Sequence, residues 1–333
     1  MLFRKKLLVF PTSRSIRNFI STQKSSNTLL PFTLTIDELF KKSINLNNMK
    51  YCEEEQRVLF LSEAIKNTNI QKLGISDNFT KFLKQSDYIY RFFLELASEK
   101  VEIKDIQNVD TYDFYLEHLQ ILETIKTNYI NILEKNSYVD KINLDNHYKI
   151  NENFLKKFEE IELYFEGYFT KVEFEIVEKI SKFINVKINF YSNTYNQRSL
   201  EVFKNMNIDL KIDFNYKIDL TNKLVLQEEK NKKNLQSLEI KGFSSRLNQI
   251  AYIKDSIVKS VQKGVNPSRI ALVLPDETFA SYIQLFDTEK YFNYAMGKTI
   301  KNTNLYQVAY AIYSYLSEDD IKHISNLDFL KLD

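Results

Sequence analysis

Hydrophobic and polar positions change period several times along the chain, and the changes mark its elements. Residues 161–190 are the clearest stretch. A short apolar run (Ile161, Leu163, Tyr164, Phe165) ends at Glu166-Gly167, as a buried strand ends at a turn. Thr170 and Glu173 have capping-box spacing, so a helix is predicted to open there. Val172, Ile176, Val177, Ile180 and Phe183 follow at helical intervals, and Val186, Ile188 and Phe190 then alternate as a strand. Strand, turn, helix and strand make a βαβ unit, which requires a parallel sheet with helices packed on it. In such a sheet the turns at the carboxyl ends of the strands carry the chemistry. Here that turn is Phe165-Glu166-Gly167-Tyr168.

Before this unit, residues 7–10 read as a first strand and Pro11-Thr12-Ser13 as the turn capping a helix with Ile16, Phe19 and Ile20 on one face. Residues 31–34 read as a second strand, and Thr35 with Glu38 repeats the capping box ahead of Leu39 and Phe40. A helix is predicted from Glu53 to about Asn67, with Val58, Leu61 and Ile65 inward. From residue 76 to about 150 helical periodicity dominates. Phe79, Phe82, Leu83, Tyr90, Phe93, Leu94 and Ala97 form one stripe, and Tyr115, Leu119, Leu122, Ile125, Tyr129 and Leu133 another. An aromatic stripe can serve as a base-stacking surface, but spacing confined to one face favours helix-packing core.

After the unit, apolar residues alternate over 208–220, longer than one ordinary strand at about 3.3 Å per residue, so a hairpin or two strands are expected. The run QEEKNKKN at 227–234 is the most linker-like segment. Beyond it, residues 237–242 read as a strand and residues 247–263 as a helix stopped by Gly264 and Pro267. RIALVL at 269–274 reads as a buried strand ended by Pro275. Asp276 is expected to cap a helix through Phe279 and Ile283, and Thr303 another through Leu305, Val308, Ala309, Ile312 and Leu316. This is a second βαβ pattern. It stops at Asp333 without further strands to close a sheet, as a fragment would.

Length adds that 333 residues exceed one typical core and call for two domains or more. Charge is balanced overall, with 46 Lys+Arg against 44 Asp+Glu, so it names no partner. Locally it is uneven: Arg4, Lys5, Lys6, Arg14, Arg17 and Lys24 all precede the first acid, Asp37, while Glu318, Asp319 and Asp320 cluster near the end. An acid-free, Arg- and Ser-containing start also has the look of a mitochondrial presequence, but LLVF-PTS-RSIRNFI reads better as strand, turn and helix. Cys52 alone excludes an intrachain disulfide, a CxxC motif and a cysteine-built cluster, and makes a reducing compartment the default. Five glycines, at 74, 167, 242, 264 and 297, leave no room for a P-loop GxxxxGK[ST] or a GxGxxG turn. His118, His147 and His323 give no local zinc pattern. No apolar run has the length of a membrane span, so a cytoplasmic protein without a membrane partner is expected.

Three segments carry a resemblance: LLVFPTSRSIRNFI, YFEGYFTKVEFEIVEKISKFINVKINF, and NPSRIALVLPDETFASYIQLFD with NYAMGKTIKNTNLYQVAYAI. Together they resemble the AddB-type, helicase-like subunit of bacterial double-strand-break processing complexes. The third is the most specific, with its Leu-Pro-Asp-Glu strand end, Asn-x-x-Met-Gly turn and Thr-led helix. The resemblance implies an α/β fold of superfamily 1 helicase-like, RecA-like parallel sheets with helices on both faces and a helical insertion. The expected layout is a first RecA-like domain in two parts, 1–75 and 151–228, an insertion at 76–150, and an incomplete second RecA-like domain at 236–333. Full-length members continue into a PD-(D/E)XK nuclease domain, often with a four-cysteine iron–sulfur cluster; one cysteine cannot build that cluster.

The departures from an active motor are specific. Pro11-Thr12-Ser13-Arg14-Ser15 stands where a motor has a Gly-rich loop ending in Lys and Thr, so phosphates cannot be wrapped closely. Phe165-Glu166 stands where a motor pairs Asp with Glu, and one carboxylate is a poor Mg²⁺ site. The expectation is therefore an inactivated helicase fold with no ATP and no iron–sulfur cofactor, binding DNA and docking a helicase–nuclease partner subunit. Thr12, Ser13, Arg14 and Arg17 are the candidate DNA contacts, at a helix N-terminus that favours phosphate, although both arginines also fit a merely solvated helix face. Glu166 and Gly167 form the degenerate motor turn. Two alternatives stay open: a nuclease using Glu239-Ile240-Lys241 with Asp213 or Asp219, or a protein-interaction scaffold. Acids and lysines are so abundant that a (D/E)xK triplet is weak evidence.

Overall fold

The computed structural model describes residues 5–23, 29–76, 78–107, 115–231, 237–295 and 300–317. The chain divides into two units, Met1–Asn234 and Leu235–Asp333. The first unit begins β1 (Lys6–Phe10), α1 (Ser13–Thr22), β2 (Phe32–Thr35), α2 (Ile36–Ser43), β3 (Ile44–Leu46) and β4 (Lys50–Tyr51). Helices α3 (Glu54–Ala64), α4 (Phe79–Ser98), α5 (Ile103–Gln107) and α6 (Leu116–Lys135) follow, then β5 (Tyr138–Val139), β6 (Tyr148–Ile150) and α7 (Glu152–Leu155). The chain continues through β7 (Glu160–Phe165), α8 (Lys171–Ser181), β8 (Asn185–Tyr191) and α9 (Gln197–Asn205) to a hairpin of β9 (Phe214–Asp219) and β10 (Leu224–Lys230).

Six strands form one sheet in the order β10-β9-β8-β7-β1-β2. Strands β2, β1, β7 and β8 run parallel; β9 and β10 are antiparallel additions. The fold is α/β, with a mixed, mostly parallel sheet and helices around it. The βαβ unit expected at 161–190 is present: β7 and β8 pair with Leu163 opposite Ile188, and Thr170 and Glu173 cap α8 reciprocally. Phe183 lies past the end of that helix and is exposed.

Right-handed crossovers place connecting helices by the direction of travel. From β1 the chain steps one way to β2, and from β7 it steps the other way to β8, so α1 and α8 lie on opposite faces. The α8 face is apolar: Leu7, Val9, Leu163, Val186, Ile188 and Ile218 are buried in a core that also takes Leu39 of α2, Ile176 and Ile180 of α8 and Phe203 of α9. On the other face α1 reaches only the β1–β2 end, where its Phe19 ring lies 5.2 Å from Phe10. The rest of that face is polar, so the expectation of helices on both faces holds only at β1 and β2 among the described residues.

Helices α3, α4 and α6 build a second core between β2 and β7, containing Leu61, Phe82, Phe93, Tyr129 and Leu133. The aromatic stripe of α4 is helix-packing core at Phe82, Tyr90 and Phe93, while Phe79 and Leu83 at its start are exposed. At its centre sits Asp140, fully buried at 0% exposure. Its carboxylate accepts hydrogen bonds from the Tyr90 hydroxyl at 2.7 Å, the Tyr129 hydroxyl at 2.6 Å and Arg57 Nε at 3.3 Å. The Arg57 guanidinium also lies 3.8 Å from the centre of the Tyr90 ring. Burial, then the Asp140 charge, pushes both tyrosine hydroxyls far above the ordinary phenol range.

Several expectations are corrected here. The alternation at 208–220 is broken at Asp213, whose φ of 67° is left-handed, and only β9 from Phe214 onward is a strand. Gln227–Lys230, expected to open a linker, is the end of edge strand β10, exposed along its length. Charges on an edge strand discourage pairing with another chain, which explains the run without a linker. The remainder, 232–234, lies outside the described residues.

The second unit contains α10 (Arg246–Gln262), capped by Ser245, then α11 (Phe279–Phe286) and α12 (Asn304–Ser317). Thr303 Oγ1 accepts from the Tyr306 amide at 3.3 Å, as its capping role requires. Residues 237–242 and 269–274 are not strands: Leu238, Ile240 and Val273 are 78, 86 and 81% exposed. An apolar run becomes a strand only where a neighbour completes its ladder, and no strand is present among the described residues of this unit. The expected second parallel sheet is therefore not found there. Met296-Gly297 of the Asn-led turn, the acids at 318–320, Arg4 and Lys24 lie outside the described residues. Among those described, no helix is long and apolar enough to cross a membrane.

Replacing Asp140 by alanine leaves two buried phenols and a guanidinium without their acceptor. Breaking a buried pair this way typically costs about 3–5 kcal/mol. Urea unfolding of the D140A chain is expected to show a loss of that order, whereas a change within about 0.5 kcal/mol, as at open surface sites, would remove this carboxylate from the centre of the helical block.

Candidate functional site

The order β2-β1-β7-β8 reverses between β1 and β7, and this is the switch point where open α/β sheets bind ligands beyond the carboxyl ends of their strands. Val9 pairs with Leu163, so the turns that follow β1 and β7 leave the sheet side by side. The first carries Thr12, Ser13, Arg14 and Arg17; the second carries Glu166 and Gly167. The Phe10 and Tyr164 rings beneath them stack at 4.7 Å. Two turns separated by about half the chain are thus brought to one edge.

At the first turn Thr12 is the N-cap of α1, its Oγ1 accepting from the Ser15 amide at 3.2 Å. The amides of Ser13 and Arg14 precede the first intrahelical bond and carry the positive end of the helix dipole. Arg14 and Arg17 are exposed, and neither makes an ion pair among the described residues. No residue of α1 is buried, so the helix presents its arginines without a packing role for them.

At the second turn Gly167 adopts φ of 101°, a conformation side-chain-bearing residues avoid, although there is open space where a Cβ would go. Ser199 of α9 donates to its carbonyl at 2.9 Å. The next residues lock the turn: Phe169 stacks on Phe165 at 3.8 Å, and the Tyr168 hydroxyl donates to Glu99 of the loop after α4 at 2.5 Å. Burial and that hydrogen bond push the Tyr168 phenol up to about 12. Glu166 is exposed on this turn.

Next to the switch point, the polar sheet face is a lattice of alternating charge that sequence reading did not single out. Lys6 of β1 bridges Glu160 at 3.2 Å and also pairs with Glu162; Lys187 of β8 pairs with Glu160. Lys217 of β9 reaches Glu162 at 2.8 Å, and the Asn189 carboxamide donates to Glu162 at 2.7 Å. Glu162 is only 3% exposed. Burial alone would raise its pKa, but hydrogen bonds from Lys217, Lys6 and Asn189 outweigh it and hold it near about 2. The signal was available: strands buried on both faces read as unbroken apolar runs, whereas EIELYF and NVKINFY alternate.

The alternative nuclease residues Glu239, Lys241 and Asp219 each have a local partner within their own unit. Lys241 Nζ is paired with Glu239 of its own triplet at 3.0 Å on an exposed segment. Asp219 accepts from the amide and carboxamide of Asn222, each at 2.9 Å. Among the described residues no group of three His, Cys, Asp or Glu side chains is placed to hold a metal ion.

The lowered pKa of Glu162 makes stability pH-dependent with a definite sign. The unfolded chain takes up this proton near the ordinary value of 4.5 and the folded chain only near about 2. Its contribution is complete above pH 4.5 and is lost as pH falls from there to about 2, with Glu160 shifted in the same direction. Urea midpoints measured across that window should fall steeply for the natural chain and more shallowly for Glu162→Gln; parallel curves would disprove the network's contribution. No family model matches this chain, and no curated protein matches it either.

Proposed function

We propose that this chain is a non-hydrolysing, RecA-like, helicase-type segment that binds the DNA backbone at the switch point and docks an active helicase–nuclease partner during double-strand-break processing. The observation that carries the reading is the meeting of two turns at the switch point, each lacking what a motor needs. One offers a capped helix start with no glycine and two arginines that make no ion pair among the described residues; the other offers a single carboxylate, Glu166, on a locked glycine turn. Helix-start amides and guanidiniums suit phosphate diesters, while a nucleotide triphosphate needs an enclosing glycine loop and a paired metal site. The resemblance of the three quoted segments to AddB-type subunits supplies the partner and the pathway in this reading.

Two measurements test it. Mg²⁺-ATP is expected to leave the unfolding temperature unchanged, although one site filled at a hundred times its Kd would add about 2.7 kcal/mol of stability. Binding of single-stranded and forked oligonucleotides should weaken with salt regardless of sequence. Each neutralised phosphate contributes a slope of about −0.7 to −0.9 in log K against log salt. Arg14 and Arg17 are three residues apart and share a helix face, so Arg14→Ala with Arg17→Ala should flatten that slope by about one to two units. Stability should change by less than about 0.5 kcal/mol. An unchanged slope in a folded double variant would reduce these arginines to ordinary surface.

A further inference from the structure

A cleft of about 270 Å³ opens on the polar sheet face, at the same edge as the Glu166 turn. Its walls include Tyr164 of β7, Glu166 of the turn after it, Asn189 and Tyr191 of β8, Asn215 and Lys217 of β9 and Gln227 of β10. We propose that this cleft is a nucleobase-binding site, accepting one unpaired base of a single strand whose backbone passes the α1 turn. The inference rests on the nucleic-acid reading above and adds the part of the ligand that enters the protein.

Size, chemistry and rigidity converge on this class of ligand. Pockets for whole drug-sized ligands span roughly 300–1,000 Å³, so this cleft suits a single planar ring system rather than a nucleoside triphosphate. Tyr164 is held from behind, its ring stacked at 4.7 Å on Phe10, which in turn meets Phe19 of α1 at 5.2 Å. Tyr191 lies two residues beyond Asn189, the cross-strand partner of Tyr164, so the two aromatic rings stand diagonally on one face. Aromatic side chains of this kind accept any base by stacking.

The polar groups are those that read a base edge. Among the described residues, the carboxamides of Asn215 and Gln227 and the hydroxyl of Tyr191 make no hydrogen bond. Each carboxamide offers a donor and an acceptor together, the pattern that meets the paired donor and acceptor atoms of a nucleobase. The cation in the wall is already neutralised, with Lys217 Nζ 2.8 Å from Glu162, itself bonded by Asn189 at 2.7 Å, and the exposed carboxylate of Glu166 also lines the cleft and repels phosphate. A neutral, planar, hydrogen-bonding group therefore belongs inside, and the phosphates belong outside with Arg14 and Arg17.

Free nucleosides carry no phosphate and so probe the cleft separately from the arginine turn. Isotope-labelled full chain is titrated to millimolar adenosine and thymidine while the side-chain amide signals of Asn215 and Gln227 are followed. Saturable shifts are expected, lost in Tyr191→Ala and reduced in Gln227→Ala, a substitution on the exposed edge strand that spares the core. Tyr191→Ala should also weaken binding of a short oligothymidine by roughly tenfold, the scale of one lost stack, without changing the salt slope. Salt-dependent oligonucleotide binding with no nucleoside response would overturn the base site and leave the backbone reading standing. Nucleoside shifts with an unaltered slope in the Arg14/Arg17 double variant would do the reverse. Equal shifts with a methyl glycoside would show a saccharide-type polar cleft and overturn the proposal.

Discussion

The fold of the first unit depends on one buried carboxylate. An uncompensated charge at the position of Asp140 costs several kcal/mol, and it is tolerated only because α3, α4 and α6 each supply a donor. Those helices lie far apart in sequence, so the carboxylate is satisfied only when the whole helical block has assembled. The strand just before Asp140, β5, also closes the block: Cys52 N donates to the Val139 carbonyl at 2.8 Å, and Lys50 N to the Ser137 carbonyl at 2.9 Å. Entry and exit of the insertion are thereby fastened together, along with the β3–β6 ribbon. That closure lets β7 return beside β1 rather than beside β2, its predecessor in the sheet. The reversal of strand order, and with it the switch point, follows from the way the insertion is tied off.

The two faces of the sheet answer different constraints. Where β1 reads KLLVF, both faces are covered, by α2 on one side and α1 on the other, and Leu8 and Phe10 are both 5% exposed. Where β7, β8 and β9 alternate, one face packs against α8 and α9 and the other neutralises itself by cross-strand pairing. Glu160 stands between Lys6 of β1 and Lys187 of β8, and Glu162 between Lys6 and Lys217 of β9, so both carboxylates are compensated within the sheet. This face presents fixed polar groups at a strand edge without a helix above them.

Much of this was legible from local pattern. The capping boxes at Thr35 and Thr170, the Thr12 cap, the parallel β7–α8–β8 unit and the helical stripes all follow from spacing within one turn or one strand. What failed were strands read from apolar content alone. RIALVL has the composition of a buried strand, but pairing is a property of neighbours, and residues 269–274 have none among the described residues. Asp140 was unreadable for a related reason, because a lone Asp after Tyr138 and Val139 looks like any polar loop residue. Asn215 and Gln227 were equally silent: only the β9–β10 hairpin carries them beside Tyr164 and Tyr191.

The glycine shortage bears on the whole edge, since the turn after β1 holds no glycine. A glycine-rich loop encloses its phosphate from several sides, whereas a capped helix start such as Thr12–Ser15 meets a phosphate from one side only. One-sided contact suits an extended polymer passing across an edge better than a compact group seated in a nest. The polar cleft lies on that same edge, one to four strands from β1, at about 4.8 Å per strand. A backbone held at the α1 turn therefore needs only about 10 Å to bring a base opposite Tyr191, two strands away. A single strand crossing this edge as proposed would meet exposed arginines at the α1 end and the Tyr164 and Tyr191 rings at the cleft.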